Sequence, residues 1–150
     1  MEHLTRIADG LSFRHTCDMK VQQFPRGSRG LNIRIEGPGV HGRMFGVVIM
    51  TYAQPVGADA ALRESVQGLE MVYSMETAKI LKREPVARTI AGAQRQGERF
   101  NVEWEGKPVM EVFAFELGGR TLCVSVQHDA DDSDRAEKLL PGLLESIKLA

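Results

Sequence analysis

Residues 93–128 read AQRQGERFNVEWEGKPVMEVFAFELGGRTLCVSVQH, and two turn signals in this stretch decide the architecture. Gly118-Gly119, between Leu117 and Arg120, marks a two-residue type I′ hairpin, because both central residues of that turn need positive φ. Glu105-Gly106, between Trp104 and Lys107, is a weaker form of the same signal. Together they predict an antiparallel meander of three strands, about 93–104, 107–117 and 120–128. With both loops two residues long, Trp104 opposes Lys107, Val102 opposes Val109, Leu117 opposes Arg120 and Phe115 opposes Leu122. Phe100, Val102, Val109, Phe113, Phe115, Leu122, Val124 and Val126 then share one face. A longer loop or a bulge at either turn shifts the register by one and separates these residues. Glu111 falls on the same face, between Phe100 and Val126, where an unpaired charge would be costly to bury. Its first candidate partner is His128, diagonally across. Glu111 and His128 are therefore candidate ligand- or partner-binding residues. The plainer readings are a structural ion pair, or a twisted rim at which the carboxylate reaches water.

Beyond the meander, Ala136, Leu139, Leu140, Leu143, Leu144 and Ile147 recur at the spacing of one helical stripe. Ser133 or Asp134 is placed to cap this helix, and Pro141 inside it removes one backbone bond. Before the meander, Lys79 to Thr89 reads as a strand in which Pro85 argues for a sheet edge. Leu62, Val66, Leu69 and Tyr73 line one side of an earlier helix, from Ala58 to about Met75, with Asp59 near the positive end of its dipole. Met44 to Met50 is apolar on both faces, as a central strand must be. Leu31, Ile33 and Ile35 alternate with Asn32, Arg34 and Glu36. Leu11, Phe13, His15, Cys17, Met19 and Val21 alternate with polar residues in a first strand. The order is β-β-β-α-β-β-β-β-α in a single domain, residues 1–150. The expected fold class is α+β: an antiparallel sheet with two helices, as an α/β/α sandwich or with both helices on one face.

The chain has 150 residues, 43% hydrophobic and 26% charged, enough to bury a core without disulfides or metal. Its net charge of −1 argues against a nucleic-acid partner, since such affinity rests on neutralising phosphates. No apolar run approaches the roughly 18 residues that a membrane span needs, and Met1 to Gly10 lacks the apolar core of a signal peptide. The expected location is cytoplasmic for the chain as written, and periplasmic or otherwise exported if a leader was removed.

The remaining motifs favour plain readings. Gly37-Pro38-Gly39-Val40-His41-Gly42 matches a dinucleotide motif by letter, but a strand follows it where the phosphate site needs a helix N-terminus. Asp129 to Asp134 lacks the Gly and Glu of a calcium loop and reads as a solvated turn. His15 and Cys17 share a strand face, yet zinc would need two further ligands; a Cys17–Cys123 disulfide would require adjacent strands. No metal and no cofactor is expected. Arg14, Lys20, Arg26, Arg29, Arg34 and Arg43 make the first third basic. Arg26 and Arg29, on the 25–30 loop, are candidate contacts for an anionic protein, against the plainer reading of a charged edge that resists aggregation. Met44, Met50, Met71, Met75 and Met110 could line a groove for varied apolar segments or simply fill the core.

The element order resembles the superfamily of PsbP, the Ran-binding Mog protein and the bacterial DcrB-like proteins. The resemblance is most visible where AGAQRQGERFNVEW is followed by EGKPVMEVFAFELGGRTLCVSVQHDADDSDRAEKLLPGLLESIKL. There a meander runs into an Asp/Ser-rich turn and a Leu-rich helix. The Pro and Trp that many members carry near Cys17-Asp18-Met19 are absent here. The resemblance implies a non-catalytic protein-binding or assembly/chaperone-like module whose partner is another protein. It carries no catalytic signature, so no residue is transferred. The alternative is a small-ligand or lipid carrier with a pocket between sheet and helix. An enzyme would require a polar cluster in a cleft with displaced pKa values.

Overall fold

The structure is a computed structural model that describes residues 2–7, 10–25, 30–75, 78–103 and 107–149. Three layers build it. The middle layer is a seven-stranded antiparallel sheet in the order β3-β4-β5-β9-β8-β7-β6. Its strands are β3 (Lys20–Pro25), β4 (Leu31–Pro38), β5 (Met44–Thr51), β6 (Lys79–Ile90), β7 (Ala93–Glu103), β8 (Pro108–Leu117) and β9 (Arg120–Asp129). One face carries α1 (Ala58–Met75). The other carries α2 (Ser133–Ser146) together with a small sheet of β1 (Glu2–Arg6), β2 (Leu11–Thr16) and β10 (Lys148–Leu149). The α/β/α sandwich expected from the pattern is the fold observed.

The local signals explain most of these elements. Gly118 and Gly119 both take positive φ, 57° and 79°, as the type I′ turn requires, and Leu117 opposes Arg120 as expected. Apolar β5 lies inside the sheet, and β6 with its Pro85 lies at an edge. The β6–β7 connection is a second tight hairpin through Ala91 and Gly92, both at positive φ. Ala91 is held there by its backbone N–H, which donates to the Leu144 carbonyl at the end of α2.

Three expectations need correction. The register of β7 against β8 is slipped by one residue: Asn101 opposes Val109, Phe100 opposes Met110 and Arg99 opposes Glu111. A connection longer than two residues imposes such a slip; residues 104–106, and with them the Trp104–Lys107 pair, lie outside the described residues. Phe100 and Val102 therefore join Met110 and Val112 under α1, while Phe113, Phe115, Leu122, Val124 and Val126 face α2. Second, the alternating run from Leu11 to Val21 is two strands in two sheets. The chain turns at Cys17-Asp18, where the Thr16 hydroxyl donates to the Asp18 carboxylate at 2.5 Å. Third, β1 and β10 were not expected; both pair with β2 and roof the α2 side.

The N-terminal position of α2 also differs from the capping expectation. Asp132 precedes its first turn, but its carboxylate accepts the Val40 N–H at 2.9 Å and so ties the β4–β5 connection to the helix. Asp129 accepts the Asp131 N–H at 2.9 Å, consistent with a turn built from its own carboxylates.

Candidate functional site

Glu111 is wholly buried, and its partner is an arginine from a strand two places away. Arg88 of β6 donates through Nε to Oε1 at 2.8 Å and through a terminal nitrogen to Oε2 at 2.9 Å. The same guanidinium donates to both carboxylate oxygens of Glu137 on α2, at 3.0 and 2.6 Å. Arg99, directly opposite Glu111, brings its Nε to 3.8 Å. Two carboxylates raise the Arg88 pKa above its ordinary value, and the Arg88 hydrogen bonds lower that of Glu137. The slipped register is what faces Glu111 with Arg99 rather than Phe100. His128, the candidate partner, is buried and instead bonds its Nδ1 to the Asp129 carbonyl at 2.7 Å. This network clamps the edge strand, β8 and α2 together.

The other candidates separate. Arg26 and Arg29 lie outside the described residues. His15 is buried, with one ring nitrogen on the Thr5 hydroxyl and the other on the Thr16 carbonyl, while Cys17 is exposed on the turn and Cys123 is buried; the two do not form a disulfide, and the Cys123 thiol lies 3.0 Å from the Ser65 hydroxyl. His41, Asp129 and Asp131 place one donor atom each within 4.8 Å of one another. Here the imidazole bonds to Asp131 at 2.9 Å, which raises its pKa, and Arg43 stands 3.5 Å from Asp129. These contacts clip the β4–β5 connection to the start of α2.

The open concavity lies on the other side. Helix α1 packs over β7, β8 and β9 through Ala61, Val66 and Tyr73. It leaves the same face of β3, β4 and β5 uncovered. The result is a cleft of about 620 Å³, open to solvent, between α1 and the sheet. Val48, Met50 and Val112 form its floor and Leu69 and Val72 its helix wall; Asn32, Arg34, Ser125 and Gln127 add polar groups. Its lips are exposed and apolar: Phe24 on β3 is 45% and Val72 on α1 is 53% accessible. A second recess of about 450 Å³ continues past Leu69, Val72 and Gln127 to Met44, Met110 and His41. Thus Met44, Met50 and Met110 line the continuous cleft, while Met71 and Met75 stand exposed on α1.

The Asn32 Oδ1 is buried with no hydrogen bond among the described residues. Arg34 donates to the Met44 thioether at 3.3 Å and stands 3.7 Å from Glu36. Sequence reading put both residues on the polar side of their strand without assigning them a site. The available signal was a polar face on a strand next to a fully apolar one.

No family model matches the chain, and no curated protein matches it. Among solved structures, it is similar to the solution structure of cyanobacterial PsbP (CyanoP) from Synechocystis, with a TM-score of 0.60 over 99% of this chain and 92% of that one. At 13% identity the likeness is one of fold: the architecture is PsbP-like.

Proposed function

We propose that this chain is a non-catalytic docking module, of the assembly or chaperone type found in the PsbP/Mog/DcrB superfamily, and that the cleft along α1 receives a segment of another protein. One observation carries the reading: α1 leaves β3, β4 and β5 uncovered on its sheet face, and there an apolar floor stands beside Asn32, Arg34, Ser125 and Gln127 in a trough open to solvent. Recognition surfaces likewise combine apolar contact area with a limited number of hydrogen-bonding groups. No helix among the described residues is long and apolar enough to cross a membrane.

A photo-crosslinking amino acid at Val72, in the native host, tests this. Docking predicts one discrete adduct from Val72 and none from Lys138 on the opposite side of the molecule. Equal or absent labelling from Val72 would overturn it.

The cleft volume favours a second reading, because about 620 Å³ falls within the roughly 300–1,000 Å³ of ordinary ligand pockets. A small-ligand or lipid carrier would retain its cargo in native mass spectrometry of protein purified from its source. A bare mass, together with a Val72 crosslink to protein, favours docking.

A further inference from the structure

We propose that the cleft selects apolar segments that carry a carboxylate, and that Arg34 is the residue that reads the acid; this rests on the docking role proposed above. Arg34 lies on the α1-facing side of β4, opposite Val48 of β5 and Gln22 of β3. A guanidinium has five N–H donors arranged to grip a carboxylate in two parallel bonds. Its contacts among the described residues use few of them. The Met44 thioether is a weak acceptor, and Glu36, at 3.7 Å, is beyond hydrogen-bonding distance. Glu36 also has another cation beside it, since Lys20 stands directly across from it in the β3–β4 ladder. Lys20, Arg34 and Glu36 together leave one positive charge on this strip of the sheet.

The surroundings set the rest of the specificity. Arg34 keeps 40% of its side chain accessible, so the charge is reachable, while Val48, Met50 and Phe24 beside it supply an apolar, partly desolvated setting. Attraction between opposite charges is stronger there than in bulk water. Asn32, one pleat along the same face, has a buried Oδ1 with no hydrogen bond among the described residues. Asn32 thus adds a polar side chain to the cleft lining next to the cation. Glu64, on the α1 wall of the cleft, disfavours a carboxylate on that side and so orients the acid toward the sheet. A protein segment suits this site better than a compact ligand. The cleft continues past Leu69 and Val72 into the second recess, and its methionines adapt to different apolar side chains.

The test is selection of a displayed random dodecapeptide library on three proteins: the wild type, Arg34→Gln and Leu69→Arg, which fills the cleft wall with charge. The wild type should enrich peptides with Leu, Phe or Met around an Asp or Glu at a fixed position. Arg34→Gln should keep the apolar preference and lose the acid. Wild-type anisotropy with an enriched, labelled peptide should weaken tenfold to a hundredfold, about the value of a charged hydrogen bond, on replacing its acid by the amide, with Arg34→Gln indifferent to that change. Apolar enrichment without an acid, or an acid preference that survives Arg34→Gln, overturns the role of Arg34 and leaves docking standing. Enrichment indistinguishable from that on Leu69→Arg overturns both. Circular dichroism melts of the two variants confirm that each is folded.

Discussion

The two faces of the seven-stranded sheet are made by the same alternation yet end in opposite states. On the α2 side, Ile33, Ile49, Val124 and Phe113 stand in one row across β4, β5, β9 and β8, all buried under α2 and the small sheet. The charge among them, Glu111, is locked by Arg88. On the α1 side, the neighbouring row runs Asn32, Met50, Cys123, Ala114, and only its β9–β8 end is capped by the helix. Residue type alone does not separate the two faces, since Met50 and Val48 are as apolar as their counterparts. What differs is the cover: one helix plus a three-stranded sheet on one side, a single helix on the other. Substitutions on the closed face should therefore act on stability, and those in the open half on binding.

The largest effect should come from the closed face. Phe113→Ala removes a wholly buried ring and should cost about 3–5 kcal/mol, and Leu144→Ala about 2–5 kcal/mol, by denaturant titration. Gly97 opposes Phe113, and a Cβ there would lie 2.6 Å from the ring, so Gly97→Ala should also destabilise. Melts that barely move for Phe113→Ala and Leu144→Ala would erase the contrast between the faces.

The next effect sharpens it. Glu111→Gln leaves Arg88 with Glu137 as its remaining strong partner, so the loss should fall near the lower end of the range for breaking a buried ion pair, about 3 kcal/mol. A smaller loss than that of an exposed pair such as Lys82–Glu84 would mean that water reaches this face. A finer effect concerns acid. The Glu137 pKa is lowered in the folded protein, chiefly by its Arg88 hydrogen bonds. Its contribution is then fully present above the unfolded carboxylate value and is lost as pH falls through the lower folded one. Glu137→Gln should flatten the stability profile below about pH 4.5 and leave it parallel to wild type near neutrality. The smallest effect belongs to the open face: Val72→Ser and Arg34→Gln should each shift stability by less than about 0.5 kcal/mol. A larger loss would show that the cleft residues carry load in the fold.

Much of this contrast was legible in the chain. The stripes from Ala58 and from Ala136 located both helices, Pro85 marked an edge, and Gly118-Gly119 set the β8–β9 register. The β7–β8 slip was not legible, because one added residue in a connection leaves every local preference unchanged while moving Phe100 to the other face. The break at Cys17-Asp18 was hidden by parity: Leu11, Phe13, His15 and Met19 are all buried, so the alternation survives a change of sheet. Glu111 was recognised as needing a partner, but Arg88 lies two strands away across the sheet, beyond the adjacent strands to which cross-strand pairing extends. A methionine-lined groove and a pocket between sheet and helix were among the sequence's alternatives, but the place of the cleft was not legible, because it arises from where α1 stops covering the sheet.

The pairing of β5 with β9 joins residues 44–51 to residues 120–129, with the whole of α1 and three strands between them in the chain. During synthesis, β3, β4 and β5 can form their local meander early, but β5 then has an open edge bearing Val47, Val48 and Ile49 until β9 emerges. Long-range strand closure of this kind is slow and exposes the edge meanwhile. Truncation before Arg120 should therefore yield an insoluble fragment rather than a smaller folded one, and the last fifth of the chain is what makes the first third safe from self-association.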